Sequence, residues 1–271
     1  MLLRIEDLDP DRCRPEYAEI LKDDLRWLGL DWDIETPWQS SRQVVYARAF
    51  AELEKKEMIY PCFCSRNELH DASAPHAADG TLLYSGHCRN LTAEQRAAMT
   101  RKPAWRIRVP NQTFSFTDGL QGYVQQNLQT QCGDFIIRRS DGVYAYQLAV
   151  VCDDGLMGVT EVVRGNDLCS STPRQLFLYQ ALELTPPQFY HVPLLTAPDG
   201  RRLSKRDGDL DMGALRLHFK PEELIGFLAR AAGLLSHCES VSAAELTRQF
   251  HWSNVQKVTA ISVDSTFFKD F

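Results

Sequence analysis

Strand-like and helix-like segments alternate near the start of the chain and again in its second half, and this alternation is the strongest constraint on its fold. Residues 2–5 form a short apolar run before the turn-forming Asp9–Pro10, and Pro15 then begins a helical pattern that Gly29 closes. A second helix is predicted after Ser40 or Ser41, with Tyr46, Phe50 and Leu53 on one face. The same order returns from Phe135–Ile137 onward, where Thr172–Pro173 begins another helix. Because parallel strands need long connections, usually helices, the pattern predicts an α/β fold with a parallel sheet.

The middle of the chain has a different character, which predicts an insertion within the α/β domain. From about residue 60 the segments are short and polar, with strand candidates at Trp105–Val109 and Phe114–Phe116. After Arg206 the remaining patterns are helical. We therefore expect four parts, which are the first part of the α/β domain at 1–59, an α+β insertion at 60–133, the second half of the α/β domain at 134–206, and a short helical C-terminal region at 207–271.

Composition argues for a globular protein outside the membrane. The apolar runs are shorter than the roughly 20 residues that span a bilayer, and the sequence does not open on a basic-then-apolar signal segment. The net charge of −6 argues against a general nucleic-acid coat but leaves room for a local basic face. The eight cysteines are scattered through a chain large enough to need no disulfides. We expect a cytoplasmic protein with no membrane partner.

A basic segment late in the chain, Arg202–Arg206, contains the first candidate catalytic residues. It follows a turn at Asp199–Gly200 and includes Ser204 and Lys205. A lysine on a loop can bring its ammonium group to phosphate oxygens, where negative charge builds during phosphoryl or adenylyl transfer. A solvated basic turn is the alternative, and so short a pattern taken alone favours it.

Two predicted strand ends carry charged residues that suit an amino-acid substrate. Glu6 follows the first strand, where a carboxylate would face the crevice in which open α/β sheets bind ligands and could hold an ammonium group. The alternative is that Glu6, Asp7 and Asp9 form an acidic turn before a proline. Arg164 ends a later strand, where Gly165 permits a tight turn, and it offers a two-pronged grip on a carboxylate. The alternative is an ion pair with Asp167 or another nearby acid.

Three cysteines in the predicted insertion suggest a metal site. Cys62 and Cys64 are one residue apart, and Cys88 follows across a loop. Their thiolates would give three soft ligands for a tetrahedral zinc ion, and the Tyr84 phenolate or the His87 imidazole could be the fourth. Free thiols are the alternative, because a Cys-x-Cys spacing is less diagnostic than Cys-x-x-Cys.

Several segments together resemble the glutamyl branch of class I aminoacyl-tRNA synthetases. The resemblance runs in order through nearly the whole chain, at Leu3–Asp7, Tyr144–Val151, Val163–Leu168, Ser171–Gln175 and Arg202–Arg206. It implies a Rossmann-like parallel catalytic sheet with a zinc-type insertion. It also implies that the protein uses ATP, with Mg²⁺, to activate glutamate as glutamyl-adenylate.

The resemblance implies a role for each matched residue. Glu6 and Tyr146 would hold the α-ammonium end of glutamate, and Arg164 would help grip a carboxylate. Since Tyr146 lies in an apolar segment, its ring is predicted to pack in the core in any case. Ser204 and Lys205 would bind ATP, and Lys205 would stabilise charge as the glutamate carboxylate attacks the α-phosphate and expels pyrophosphate. The zinc ligands would be Cys62, Cys64, Tyr84 and Cys88.

Within this branch the chain is most similar to the short enzymes that transfer glutamate to queuosine in the anticodon of tRNA(Asp). After the lysine loop only residues 207–271 follow, too few for the helical anticodon-binding region of the longer enzymes, and Asp207–Leu215 also resembles the short ones. The expected partners are tRNA(Asp) carrying queuosine and glutamate, and the expected state is a monomer. The alternatives are a fragment of an enzyme that charges tRNA(Glu) and a non-catalytic tRNA-binding remnant.

The resemblance has one gap, at the start of the sequence. The family begins with a strand, a Phe-Ala-Pro-Ser-Pro-type run, a His-x-Gly-type ATP motif and a helix, whereas this sequence opens at Met1 on the strand that follows them. We therefore expect a sheet that lacks its first strand–helix unit, with sheet edges and apolar surface exposed. We also predict that the 271-residue chain is truncated and impaired in glutamate-dependent pyrophosphate exchange.

Overall fold

The structure is a computed structural model that describes residues 1–65, 68, 83–201, 203 and 211–263. Its strands are β1 (Leu2–Leu3), β2 (Ile34–Glu35), β3 (Ile59–Cys62), β4 (Ala104–Ile107), β5 (Thr113–Asp118), β6 (Gly122–Asn127), β7 (Phe135–Arg138), β8 (Glu161–Gly165), β9 (Gln188–Val192), β10 (Leu194–Thr196) and β11 (Ala260–Ser262). Its helices are α1 (Pro15–Trp27), α2 (Gln43–Lys55), α3 (Ala93–Ala97), α4 (Leu128–Gln131), α5 (Tyr146–Met157), α6 (Thr172–Ala181), α7 (Met212–His218), α8 (Pro221–Ala232) and α9 (Ala243–Arg248). Short 3₁₀ turns occupy Gln39–Arg42, Asn166–Ser171 and Trp252–Asn254.

Parallel strand pairs with helical connections form the α/β part of the fold, as the alternation predicted. β1 pairs with β2 across α1, β8 pairs with β9 across α6, and β10 pairs with β11. Within the described residues these pairs are separate two-stranded sheets rather than one continuous sheet. Side chains connect them to the helices, for example Arg4 after β1, whose Nη1 lies 2.7 Å from the Asp154 carboxylate on α5.

Antiparallel strands make up most of the middle of the chain. β3, β4 and β7 form a three-stranded sheet, with an irregularity between Trp105 and Arg106. β5 and β6 form a hairpin in which Asp118 pairs with Gly122. The three-stranded sheet therefore links the predicted insertion to β7, which follows it in the chain.

Two buried helices supply much of the core. α2 turns Tyr46, Phe50 and Leu53 inward, as its periodicity predicted. α5 is too apolar for periodicity to separate helix from strand, and the structure resolves it as a helix that is buried continuously from Leu148 to Asp154. Full burial of one leucine side chain is worth about 1.5–3 kcal/mol, so these two helices anchor the site residues that they carry.

The helical spacing of apolar residues predicts a buried stripe on α1, but this stripe lies largely at the surface. Its members are Tyr17, Ile20, Leu21, Leu25 and Leu28. Tyr17 and Ile20 are 57% and 56% exposed, and Leu21 is also exposed. The helix instead buries Ala18 and Lys22, and the Lys22 ammonium donates to a Glu35 carboxylate oxygen at 2.8 Å. Ion pairs therefore join α1 to its neighbours, since Arg216 Nη1 also contacts the carboxylates of Asp23 and Asp24 at 2.6 and 2.8 Å.

The C-terminal region contains the predicted helices and a strand that the sequence did not reveal. α8 ends at Gly233, whose φ of +86° suits glycine, and Ser242 caps α9 through a capping box with Glu245. The unpredicted strand, β11, pairs in parallel with β10. Three residues are too few to show the alternation of a strand. Among the helices of the described segments, none is long and apolar enough to cross a membrane.

Candidate active site and metal centre

Glu6 lies just after β1, in contact with an arginine that also holds a buried carboxylate. Arg4 Nη2 donates to Glu6 Oε1 at 3.1 Å, and Arg4 Nη1 contacts Asp154 Oδ1 at 2.7 Å. The Glu6 side chain keeps 38% of its surface exposed, at the rim of a cavity that Arg4 and Trp38 also line. Partial removal from water raises the pKa of Glu6, and the charge of Arg4 opposes this rise.

The other two acidic residues of this segment serve the fold. Asp7 Oδ1 accepts the backbone N–H of Ser40 at 2.8 Å. Asp9 Oδ2 accepts from Arg139 Nη1 at 2.9 Å, which lowers the pKa of Asp9. The interpretation as an acidic turn therefore fits Asp7 and Asp9, whereas Glu6 remains available at the cavity.

Asp153 is a buried charge that the sequence interpretation missed. Its carboxylate accepts hydrogen bonds from Gln39 Nε2 at 2.9 Å, from the Tyr46 hydroxyl at 2.8 Å and from Arg42 Nε at 2.7 Å. The residue lies inside the apolar run that forms α5, so its neighbours gave no sign of a polar role. These bonds tie α5 to α2 and to the 3₁₀ turn before it, next to Arg4, whose Nε lies 3.8 Å from Asp153.

Arg164 ends β8 and meets Tyr146, the first residue of α5. Arg164 Nη1 donates to the Tyr146 hydroxyl at 3.3 Å, and Nε donates to His191 Nε2 at 3.0 Å. Nη2 donates to Thr172 Oγ1 at 2.9 Å and to Gln175 Oε1 at 2.8 Å. In the described part of the chain Arg164 is thus held by neutral groups, and the predicted alternative of an ion pair with Asp167 is not formed.

These contacts change what Arg164 can offer a ligand. A guanidinium has five N–H groups, and here Nε–H, both N–H groups of Nη2 and one of Nη1 have protein partners. Among the described residues the second N–H of Nη1 has no partner, and it lies beside the Tyr146 hydroxyl. The two-pronged grip expected from the sequence would require breaking a protein hydrogen bond, whereas a single contact shared with Tyr146 would not.

The Tyr146 hydroxyl is itself protonated and half-buried beside this arginine. Burial raises the pKa of Tyr146, Arg164 opposes the rise, and the charge of Glu6 adds to it. The hydrogen bond at 3.3 Å joins two of the three predicted glutamate-binding residues, Arg164 and Tyr146, and the charge of Glu6 acts on the Tyr146 hydroxyl. Since the hydroxyl accepts from Arg164, its own proton is free to be donated.

The glycine after Arg164 is required by space rather than by backbone conformation. Gly165 has a φ of −62°, which any residue adopts. A Cβ at this position would lie 2.6 Å from Asp167 Oδ1 and 2.9 Å from Leu194 Cδ2. The sequence prediction of a tight turn thus had the right residue, but the close approach of two side chains explains it.

The three cysteines of the insertion come together in space. The sulfur atoms of Cys62, Cys64 and Cys88 all lie within 4.8 Å of one another, and Cys64 Sγ is 3.6 Å from Cys88 Sγ. The Tyr84 hydroxyl is 3.4 Å from Cys62 Sγ and 3.7 Å from Cys64 Sγ. A tetrahedral zinc ion with Zn–S bonds of about 2.3 Å separates its sulfur ligands by about 3.8 Å. The four side chains therefore fit such an ion, and His87 is exposed.

Arg106 adds positive charge beside the cysteines. Its Nε lies 3.3 Å from Cys62 Sγ, and its guanidinium stacks on the Tyr84 ring at 3.9 Å. Burial alone would raise the pKa of Cys62, but hydrogen bonding from Tyr84 and the charge of Arg106 lower it below its usual value. Burial raises the pKa of Cys64 to about 12. The Cys62 thiol is thus more easily ionised than the Cys64 thiol.

Most of the basic segment Arg202–Arg206, the lysine loop, lies outside the described residues, whereas the turn before it is described. Arg202, Ser204 and Lys205 are among the residues outside the described part. The turn before it forms as predicted, with Gly200 at a φ of +81° and its N–H donating to the Ala197 carbonyl at 2.9 Å.

The chain is similar to synthetases along nearly its full length. A protein-family model described as "tRNA synthetases class I (E and Q), catalytic domain" matches residues 1–267. The Glutamyl-Q tRNA(Asp) synthetase of Nitratidesulfovibrio vulgaris is 50% identical over 248 aligned positions, and the match covers 87% of this chain and 76% of that protein. The enzyme of the same name from Symbiobacterium thermophilum is 44% identical over 272 aligned positions, and the match covers 94% of this chain and 83% of that protein.

Longer synthetases match over a smaller share of their own length. The Glutamate–tRNA ligase of a Sulfurihydrogenibium species is 38% identical over 275 aligned positions, and the match covers 96% of this chain and 57% of that protein. The crystal structure of the glutamate-tRNA synthetase from Elizabethkingia anophelis superposes with a TM-score of 0.80 at 25% identity, covering 99% of this chain and 62% of that one. The chain thus spans about three fifths of that solved synthetase.

Proposed function

This chain belongs to the family of class I tRNA synthetase catalytic domains for glutamate and glutamine, a family of ATP-dependent ligases, and on that premise we propose that it attaches glutamate to queuosine in the anticodon of tRNA(Asp). In this proposal glutamate first reacts with ATP to give glutamyl-adenylate and pyrophosphate. The glutamyl group then passes to the nucleoside, and AMP leaves.

The relatives favour queuosine over the end of tRNA(Glu) as the acceptor. The two glutamyl-Q enzymes are 50% and 44% identical to the chain, which covers 76% and 83% of their length. The glutamate–tRNA ligase is 38% identical and is covered to 57%. Both measures favour the shorter enzymes.

The observation that carries the proposal is the meeting of Arg164 and Tyr146 near Glu6. Arg164 Nη1 lies 3.3 Å from the Tyr146 hydroxyl and has one N–H to spare, which suits a single contact to a carboxylate oxygen. Glu6, with partial exposure and a negative charge, suits the α-ammonium group. We therefore assign Glu6 and Tyr146 to the ammonium end of glutamate and Arg164 to a carboxylate.

For the nucleotide we assign Ser204 and Lys205. The ammonium group of Lys205 would contact the phosphates of ATP, with Mg²⁺, and stabilise the charge that develops as the glutamate carboxylate attacks the α-phosphate. The adjacent arginine, Arg206, adds positive potential to the same loop. The positive charge of this loop would also stabilise the negative charge on the pyrophosphate as it leaves.

We assign a structural zinc ion to Cys62, Cys64, Tyr84 and Cys88. Four protein ligands would close the coordination shell, which is typical of a zinc ion that holds a fold together rather than one that binds substrate. The site would fix the loop after β3 to the start of the segment at residue 83. We further propose that residues 60–133 act as one inserted unit within the catalytic parts 1–59 and 134–206, that 207–271 is appended, and that the protein works as a cytoplasmic monomer.

The test is transfer of labelled glutamate, with ATP, to three acceptors in parallel. These are tRNA(Asp) with queuosine, tRNA(Asp) without it, and tRNA(Glu). The chain is assayed as it stands and with the family's strand and His-x-Gly-type segment joined ahead of Met1, because the resemblance predicts that this segment supplies part of the ATP site. Transfer only to the modified tRNA(Asp) is the expected result.

Other outcomes would contradict the proposal in distinct ways. Transfer to tRNA(Glu) would make the protein an ordinary charging enzyme. Tight tRNA binding with no glutamyl-adenylate in either form would make it a non-catalytic binding protein. The variant Lys205→Ala serves as the inactive reference, and Lys257→Ala, outside the candidate site, as the matched control.

A further inference from the structure

We propose that His191, held in one tautomer by Asp118, is a positioning residue that fixes the Arg164 guanidinium for glutamate. The inference rests on the proposed function in one respect, which is that Arg164 contacts glutamate. The positioning itself is argued from contacts within the chain. The sequence analysis identified neither His191 nor Asp118 as a candidate site residue. In the structure His191 lies in β9 and Asp118 ends β5.

Strand register brings His191 to Arg164. β8 and β9 run parallel, and their register pairs Arg164 with His191, so the two side chains are cross-strand neighbours. Arg164 Nε lies 3.0 Å from His191 Nε2. The histidine is fully buried, with the Phe116 and Phe189 rings 6.3 and 6.2 Å away between centroids.

The other ring nitrogen faces a carboxylate that is itself fixed. Asp118, at the end of β5, places Oδ2 2.6 Å from His191 Nδ1. Its Oδ1 accepts the backbone N–H groups of Leu120 and Gln121 at 2.9 Å each and that of His191 at 3.2 Å. Burial alone would raise the pKa of Asp118, but these hydrogen bonds outweigh it and the pKa is lowered. Asp118 is therefore an anion that can only accept.

The two neighbours together leave one protonation state for the imidazole. Because Asp118 can only accept, Nδ1 must carry a proton. Because an arginine can only donate, Nε2 must carry a lone pair towards Arg164. Both requirements are met by the neutral Nδ1–H tautomer, in which Nε2 can also accept from the Thr172 hydroxyl at 3.4 Å.

The charged groups around the ring agree with a neutral histidine. Burial lowers the pKa of His191, and the positive charge of Arg164 lowers it further. Asp118 and Asp167 oppose this effect, and the net direction is downward. A proton on Nε2 would point at the N–H of Arg164, so the hydrogen bond would be replaced by repulsion between two donors.

These contacts fix the orientation of the Arg164 guanidinium and leave Nη1 as the nitrogen that faces Tyr146. His191 holds Nε–H, and Thr172 and Gln175 hold the two N–H groups of Nη2. Anchoring of both Nε and Nη2 fixes the plane of the group and turns Nη1 towards Tyr146. Asp118 belongs to the β5–β6 hairpin, so this hairpin contributes to the geometry of the glutamate site without touching it.

Three substitutions separate the two hydrogen bonds of His191. Asp118→Asn can keep the backbone contacts through its oxygen while its NH₂ group faces Nδ1, which forces the opposite tautomer and sets two donors against each other at Arg164. His191→Asn retains a donor for Asp118 and lacks an acceptor for Arg164. His191→Gln retains an acceptor for Arg164 and lacks the donor for Asp118.

The first readout needs no substrate. In ¹⁵N-labelled protein, the two ring nitrogens of His191 should have the shifts of the neutral Nδ1–H form at pH 7, with a scalar coupling from Nε2 to Arg164 Nε across the hydrogen bond. The signal is identified among the seven histidines by its loss in His191→Gln. A protonated ring, or the Nε2–H tautomer, overturns the proposal.

The second readout is binding of glutamate, measured by calorimetry, beside the KM values for glutamate and ATP. Loss of a hydrogen bond to a charged group predicts that Asp118→Asn and His191→Asn weaken glutamate about tenfold or more, with the KM for ATP unchanged. Gln125→Ala, on the same hairpin, is the matched control, since its side chain is exposed and contacts the Tyr123 hydroxyl at 3.4 Å, away from Asp118 and His191. It should bind glutamate like the unaltered protein.

The outcomes distinguish this proposal from the function on which it rests. If the unaltered protein binds glutamate and Asp118→Asn binds it equally well, the positioning role is overturned. If the unaltered protein has the stated tautomer and coupling but binds no glutamate, the assignment of Arg164 to glutamate is overturned and the fixed orientation of its guanidinium stands. Thermal unfolding of each variant excludes loss of the fold as the cause of weak binding.

Discussion

Arg4 Nη1 lies 2.7 Å from Asp154 Oδ1, and this ion pair joins the end of β1 to the buried helix α5. The same guanidinium contacts Glu6 at 3.1 Å, at the rim of the candidate site. Arg4 is itself only 10% exposed, and Asp154 only 5%. A single arginine thus compensates a buried carboxylate and orients the one that is assigned to the substrate ammonium group.

Arg4→Ala should therefore affect both stability and glutamate binding. Leaving Asp154 buried without its partner is expected to lower the free energy of unfolding by about 3 kcal/mol. Urea unfolding at pH 7 measures this change. Arg12→Ala is the control, because Arg12 is 86% exposed and reaches Asp9 only at 3.9 Å, so its loss should change the free energy by less than about 0.5 kcal/mol. Equal effects in the two variants would contradict the role of Arg4.

The Tyr46 hydroxyl should stabilise the fold through Asp153. Tyr46→Phe removes a hydrogen bond of 2.8 Å to a carboxylate with no solvent exposure, and we expect a loss of about 1–3 kcal/mol. Tyr123→Phe makes the same chemical change where the ring is 66% exposed, and should be nearly neutral. Paired urea titrations compare the two. A neutral Tyr46→Phe would mean that Arg42 and Gln39 satisfy Asp153 without it.

Stability should depend on pH through His191. Its pKa is lowered in the folded protein, so below the ordinary histidine value of about 6.5 the unfolded chain binds the proton more readily. The contribution of His191 is thus fully present above pH 6.5 and is lost as the pH falls towards the folded value. Between pH 7.5 and 5.5 the unaltered protein should therefore lose more stability than His191→Gln does, as measured by urea unfolding at the two pH values. Parallel slopes for the two proteins would contradict the lowered pKa.

Removal of the metal should loosen the insertion. If Cys62, Cys64, Cys88 and Tyr84 hold zinc, the purified protein contains about one zinc per chain, and Cys62→Ser or a strong chelator lowers the unfolding temperature. Elemental analysis and thermal unfolding measure the two effects. Cys238→Ser changes a thiol outside the cluster and should retain the metal. Full zinc content in Cys62→Ser would contradict this ligand set.

Much of the fold could be predicted because local signals agree with burial. The pattern on α2 gave its buried residues, and Thr172–Pro173 gave the start of α6, although the structure takes Ser171 as the preceding cap residue. The family was also predicted correctly from ordered motifs, and the match to residues 1–267 confirms it. Each of these motifs combines a particular backbone turn with a particular chemical group, so a single sequence is enough to recognise the family.

The parts that could not be predicted depend on contacts between distant segments. Nothing near Asp118 or His191 in the sequence marks them, since their meeting requires the hairpin β5–β6 to lie against β9. Asp153 is hidden for the same reason in an apolar helix. The exposed stripe of α1 shows the converse case, in which periodicity gives a helix but not the surface that it buries.

Arg164→Lys should disable the candidate site even though the charge is kept. A lysine has three donors on one nitrogen and cannot reach His191, Thr172 and Gln175 in the directions that the planar guanidinium does, so Tyr146 loses its oriented neighbour. We expect the KM for glutamate to rise at least about tenfold, with the KM for ATP unchanged. Arg138→Lys makes the same change at a half-buried arginine outside the site and should have no effect on either KM. Unchanged glutamate kinetics in Arg164→Lys would leave charge, rather than orientation, as the property that the site requires.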